Sequence, residues 1–242
     1  MNKEYTYDNQ TIDYHVIYKK RKSLGIYIDV YGNIELRVPR ETKDKQIADL
    51  LESKWKWIIT KQEEMKEKTK GFKEKEYVEG EGFLYLGQSY PIKIQEVQMN
   101  KNEKVEFQDK ELVVYIKRYE EDKDYEEKMK KLLKRFYYQR CKALVSERIA
   151  YYQPNFRVKP RGFKIANNKK TWGTCNSLRE LTFNWKLVMA PIEVLDYVVV
   201  HEMCHMVHLN HDRSFWRLVG KYVPDYEQRQ EWLRVSHWKM VV

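Results

Sequence analysis

The sequence predicts an α+β chain. One buried helix, packed on a small mixed sheet, carries the chemistry, and a β-rich region precedes it. Three observations point there. The stretch Val198–His211 places His201, Glu202 and His205 in an H-E-x-x-H pattern inside an apolar run, with a third histidine at His211. A long stripe of apolar residues at helical spacing runs between Asp122 and Tyr152. Short alternating segments bounded by Gly, Asn and Pro lie before that stripe and again after it.

In chain order, Ile12–Tyr18 alternates and reads as a strand, and Lys19–Lys22 as a solvated basic turn. Leu24–Val30 and Ile34–Val38 form a hairpin around Tyr31-Gly32-Asn33, which Pro39 ends. A helix from about Lys43 comes next, with Ile47, Leu50, Leu51, Trp55, Ile58 and Ile59 as its core stripe. Lys61–Glu76, rich in both charges, reads as a solvated helix end and linker. Phe83–Leu86 and Tyr90–Ile94 flank a turn at Gly87-Gln88-Ser89. Val105–Phe107 and Leu112–Ile116 flank another at Gln108–Glu111.

The long helix then buries Met129, Leu132, Leu133, Phe136, Tyr137, Ala143 and Leu144, and Pro154 bounds it. Strands are expected at Phe156–Ala166, Lys170–Cys175 and Leu181–Leu187, with a turn at Asn176-Ser177. Pro191 suits the first position of the motif helix, and Glu193 and Asp196 sit near its positive end. Ser214–Val223 forms a short helix that packs on the motif helix and fixes His211. Pro224 breaks it, and Asp225 caps a last helix carrying Tyr226, Trp232, Leu233 and Val235. The chain thus divides into an N-terminal β-rich region with one helix, residues 1–120, and a metallohydrolase domain, residues 121–242.

Positions four apart share one face of a helix, so His201 and His205 can reach one metal ion. Glu202, one residue on, can reach a water on that ion without binding the ion. This suits Zn²⁺, which brings the pKa of its water to about 7 while a carboxylate takes the proton. His208 and His211 compete as third ligand. On a straight helix His208 lies about 4.5 Å further along the axis than His205, too far for a shared tetrahedral centre. His211 lies beyond Asn210, which can take the left-handed conformation that ends a helix, and can swing back; His211 is therefore preferred. His15 and His237 are isolated and read as non-ligands. Cys175 and Cys204 read as small packing residues.

Composition narrows the class. With 242 residues and 42% hydrophobic content the chain can bury a sizeable core. It has no apolar run long enough to span a membrane and no apolar leader at its start, which points to a cytoplasmic protein without a membrane partner. Three scattered cysteines, Cys141, Cys175 and Cys204, fit a reducing compartment rather than a disulfide framework. The net charge of +10 is compatible with an anionic partner, but acids are interleaved with the bases and no nucleic-acid motif is present.

The run His201–His211 with Ser214-Phe215-Trp216, the upstream Trp172–Ser177, and Leu181–Pro191 resemble the YgjP-like metallopeptidase family, a relative of the SprT/WLM zincins. The W-G-S-C-S and L-N-W-x-L-x-x-x-P segments of that family are matched with two departures, Thr174 and Asn176 in place of serine. The ligand spacing is similar to that of metzincins, with His208 where they carry glycine. The resemblance implies a zincin-like catalytic domain with one Zn²⁺ on His201, His205 and His211, and Glu202 as general base. It implies a peptide or protein substrate paired to an edge strand at Trp172–Cys175 or Leu181–Trp185. Trp172 and Asn184 could then line the cleft, although Trp172 and Trp185 also suit a core. Arg213 and Tyr222, close in sequence to the ligands, are candidates for the oxyanion. Two alternatives stay open: hydrolysis of nucleoside triphosphates at the same centre, and a SprT-like protease acting near DNA.

Overall fold

Two-residue turns with both residues at positive φ shape the sheets. Asp8 and Asn9 join strand β1 (Asn2–Tyr7) to β2 (Gln10–Lys19) at φ 48° and 58°. Such turns match the strand twist and favour Asp, Asn and Gly. The computed structural model describes residues 2–29, 32–69, 74–118, 122–168 and 170–242. Val30 and Tyr31 of the expected hairpin, and 70–73 of the expected linker, lie outside the described residues. The chain divides into two compact units, Met1–Glu74 and Lys75–Val242.

In the first unit, β3 (Gly25–Ile28) pairs antiparallel with β4 (Ile34–Pro39), and β2 runs parallel to β4, giving the order β1-β2-β4-β3. Ile12, Tyr14 and Val16 of β2 point inward with Ile34, Leu36 and Val38. They pack against α1 (Asp44–Ser53) and α2 (Trp55–Lys68) through Ile47, Leu51, Trp55 and Ile58. The single helix expected from Lys43 is two, broken at Lys54, whose backbone (φ −116°, ψ 8°) leaves the helical range.

The second unit opens on the same topology. Strands β5 (Gly82–Tyr85), β6 (Gln88–Glu96), β7 (Lys104–Gln108) and β8 (Glu111–Ile116) lie in the order β5-β6-β8-β7, again two antiparallel hairpins joined by a parallel pair. The first turn falls at Leu86-Gly87, one residue before the position expected.

This sheet packs with the helices after it in the chain, so the second unit begins at Lys75 rather than at residue 121. Phe83, Tyr85, Ile92, Leu112 and Val114 share one core with α3 (Asp122–Tyr152) and with the motif helix. The turn is also tied down: the N–H groups of Leu86 and Gly87 donate to Val188 and Met189 at 2.9 and 3.0 Å. A Cβ on Gly87 would come within 3.0 Å of the Pro191 backbone, at φ +82°, so glycine is required twice over.

On α3 the buried stripe continues through Cys141, Val145 and Ile149, and of the two positions expected there Leu144 packs partly buried against the core while Ala143 does not. Ala143 is exposed, because a period of about 3.6 carries it round to the solvent side. Of the three later strands, β9 (Gly162–Ala166), β10 (Gly173–Cys175) and β11 (Glu180–Asn184) are each shorter than expected. Residues Trp185–Met189 form a 3-10 turn that leads into α4 (Ile192–Cys204). The order β10-β11-β9 leaves β10 on an edge. Helices α5 (Arg213–Tyr222) and α6 (Tyr226–Ser236) close the unit. No helix among the described residues is long and apolar enough to cross a membrane.

Candidate metal centre

Helix α4 is buried nearly all round because ten of its thirteen residues, Val194–Val200 and Glu202–Cys204, are inside. Two ties from outside orient it. Arg148 of α3 grips Asp196 with two hydrogen bonds, Nε to Oδ1 at 2.5 Å and an NH to Oδ2 at 2.8 Å. The Tyr152 hydroxyl adds a third to Oδ2 at 3.1 Å. Asp196 therefore neutralises a partly buried arginine, beyond any role it has near the positive helix end. Arg229 of α6 donates to the Glu193 carbonyl at 2.7 Å. Asp225 holds Arg229 and makes no side-chain cap bond to α6, which departs from the capping role expected of it.

The helix stops at Cys204, a turn earlier than the sequence pattern implies. The N–H groups of Val207 and His208 both close on the Cys204 carbonyl, at 3.0 and 2.9 Å. Asn210 is not among the residues at positive φ, so no left-handed residue ends the helix there. The chain turns back instead through 206–211, and His211 arrives beside His201 and His205. Its Nε2 lies 3.0 Å from Nε2 of each.

These three imidazoles are the group among the described residues whose geometry could hold a metal ion. At a metal–nitrogen distance of about 2.0–2.1 Å, tetrahedral ligand atoms stand about 3.3 Å apart, close to the spacing seen. The far nitrogen of His205 is set as a ligand requires. His205 Nδ1 donates to the His208 carbonyl at 3.0 Å, which leaves Nε2 with its lone pair facing the other two rings. His201 Nδ1 is buried without a hydrogen-bond partner. Burial, with the neighbouring His205 and His211, lowers the His201 pKa to about 3, so this ring stays neutral. Burial also lowers that of His205.

His208 does not join the group. Its carbonyl orients His205, and its ring Nδ1 bonds the Ser214 hydroxyl at 3.1 Å. Ser214 in turn donates to Asp212, whose carboxylate caps α5 by accepting from the N–H of Ser214 and Phe215. The cap fixes Phe215, which is fully buried with its ring 4.5–4.9 Å from all three imidazole rings. Trp216 stacks on His211 and on Tyr226. An aromatic wall thus backs the histidines, and a low-dielectric wall strengthens any charge held in front of it.

Glu202 faces the same cleft and is 5% exposed. Burial raises its pKa to about 8. A cation among the imidazoles would favour the ionised form. Gly173 of β10 makes room for it: a Cβ there would lie 2.5 Å from the Glu202 Cγ and Oε1. The cleft encloses about 570 Å³, and Trp172, Thr174, Cys175 and Tyr197 line it with the histidines and Glu202.

Of the two candidate edges, β10 is the edge strand and β11 is central. Asn184 N–H donates to the Trp172 carbonyl at 2.8 Å, which fixes the register. By alternation, the N–H and C=O groups of Gly173 and Cys175 lie on the side away from β11. Trp172 lines the cleft, whereas Trp185 is core, stacked on Tyr138. Asn184 is a buried strap that donates to the carbonyls of Asn168 and Thr171. Cys175 lines the cleft but is outside the ligand group, and Cys204 is buried. Arg213 and Tyr222 do not line the cleft; the Tyr222 hydroxyl bonds the Asn155 carbonyl instead.

Tyr197, Gln230 and Arg234 also line the cleft, and sequence reasoning misses all three. Tyr197 carries a signal, since it lies one turn before His201 on the same face. Gln230 and Arg234 carry none, because nothing in α6 says which face meets α4.

A family model described as YgjP-like, metallopeptidase domain, matches residues 22–236. No curated protein and no solved structure matches the chain.

Proposed function

The chain belongs to the YgjP-like metallopeptidase family, and from that premise we propose that it is a zinc-dependent peptidase with a zincin-like catalytic half. The observation that carries the reading is the convergence of three imidazole Nε2 atoms, 3.0 Å apart, beside the buried Glu202. His201, His205 and His211 would hold the ion. When bound, it supplies Lewis acidity toward the scissile carbonyl and toward water.

The chain's own residues do the rest. Glu202 accepts the proton of the attacking water on a carboxylate oxygen and returns it to the leaving amine. The free edge of β10 at Gly173 and Cys175 pairs with an extended peptide backbone, which gives affinity without reading side chains. Phe215 and Trp216 keep water from the back of the histidines.

A hydrolysis screen with zinc-loaded protein, offering unstructured peptides and nucleoside triphosphates, tests this. Peptide cleavage that disappears in Glu202→Gln, with zinc still bound, is the expected result. Turnover of triphosphates alone would replace the peptidase reading with a phosphoanhydride hydrolase.

A further inference from the structure

A second cavity, of about 580 Å³, adjoins the metal cleft; Lys170, Thr171, Trp172, Leu233 and Arg234 line both. What distinguishes it is Lys186, which lines this cavity and not the first. Lys186 sits on the 3-10 turn after β11 and is half-buried. Among the described residues no carboxylate pairs with it. Burial and the neighbouring Lys134 lower its pKa. A half-buried ammonium group without an anion gives up part of its hydration, a cost that an anionic ligand would offset.

The surroundings are built to hold it there. The Asn184 side chain accepts from the Lys186 N–H at 3.1 Å and donates to the carbonyls of Asn168 and Thr171 at 2.8 and 3.4 Å. Trp185 Nε1 donates to Asn167 at 3.0 Å. Turn and loop are thereby locked together on either side of the cavity. Arg234 spends part of its charge on the exposed Glu231, an i,i+3 pair worth little in water. Lys170 adds a second ammonium to the lining; His237 lines the cavity too, with its Nδ1 donating to the Arg234 carbonyl at 3.0 Å.

We propose that this cavity binds a carboxylate group of the peptide substrate, held by Lys186 with help from Lys170 and Arg234. The inference rests on the peptidase reading: a peptide paired to β10 leaves the strand at its Trp172 end, beside the second cavity. The carboxylate could be an acidic side chain or the peptide's own C-terminus.

Binding separates the cases. Zinc-loaded Glu202→Gln protein, which keeps peptide uncleaved, is titrated with short peptides of one neutral sequence in four forms. One is neutral with an amidated end, one neutral with a free C-terminal carboxylate, one acidic with an amidated end, and one phosphorylated with an amidated end. At least one carboxylate form should bind about tenfold tighter than the neutral amide, the scale of one charge-assisted hydrogen bond. Which form does so identifies the source. The preference should vanish in a Lys186→Gln background and return with Lys186→Arg, with thermal melts confirming that both variants fold.

Equal affinity for neutral and carboxylate forms, or a preference that survives Lys186→Gln, overturns the carboxylate site and leaves the peptidase reading standing. Tighter binding of the phosphorylated form than of either carboxylate form reassigns the cavity to a phosphoryl group and overturns the proposal. Failure of every peptide form to bind overturns the peptidase reading and this inference with it.

Discussion

Gly173 and Glu202 occupy each other's space: a Cβ on the glycine would fall 2.5 Å from the Cγ and Oε1 of the glutamate. The strand edge proposed to pair with substrate and the proposed general base are therefore set at one fixed separation. Gly173→Ala should push the carboxylate off its position while leaving the histidines alone. We expect a loss in kcat of about 10²-fold, the effect of an ångström-scale misplacement, with zinc content unchanged. Elemental analysis and peptide turnover on the same preparation check this; full activity in the alanine variant would show that the contact does not matter.

His208 and His211 should part company when each is replaced by alanine. His211 brings its Nε2 to both other rings, whereas His208 contributes a backbone carbonyl to His205 that alanine retains. Purified His208→Ala should carry about one zinc per chain, as the parent should. His211→Ala should lose more affinity than the roughly 10–100-fold that removal of an outer partner costs. Zinc titration against a chelating dye measures both, and the reverse order would reassign the third ligand.

The site's elements are more legible in the sequence than its boundaries. The i, i+4 histidines announce themselves because helix geometry alone places them on one face. The path to His211 does not, since the turn depends on Cys204 collecting two N–H groups and on Asp212 capping α5. The division of the chain is also hidden. The strands Gly82–Ile116 look like a continuation of the first sheet, whose topology they repeat. Only packing against α3 and the tie from Leu86 and Gly87 to the 3-10 turn assign them to the second unit. Short strands such as β10 carry no periodic signal, and its place on the edge is a property of the sheet.

Zinc should stabilise the fold as well as serve the chemistry. Without an ion, the three imidazole Nε2 atoms crowd together at 3.0 Å with no cation to share. At a zinc concentration about 1,000 times Kd, binding adds about 4 kcal/mol. For a unit of this size that corresponds to a rise in Tm of about 10 °C. Differential scanning calorimetry with zinc, and with excess chelator, reads the shift; identical melting in the two would argue against a preformed centre.

The Arg148–Asp196 pair gives the sharpest stability prediction, because it decides how α4 is held. Asp196 is 7% exposed and lies five residues before His201 on the motif helix. Its partner's side chain is 19% exposed, so water screens the arginine only in part. Removing one member of a buried pair leaves the other uncompensated, at a cost of about 3–5 kcal/mol in a fully buried setting. The partial exposure of Arg148 brings the expectation for Asp196→Ala down to about 2–4 kcal/mol. Replacing both members with apolar residues removes the uncompensated charge, so Arg148→Met with Asp196→Leu should recover most of the loss. The two changes separate stability from orientation. If the pair serves only folding, the double variant regains both stability and zinc affinity. If it also aims α4, stability returns while zinc affinity stays low, since two apolar side chains fix no rotation about the helix axis. Urea unfolding gives the first quantity and zinc titration the second. A single variant as stable as the parent would show that this ion pair contributes nothing to holding the metal helix.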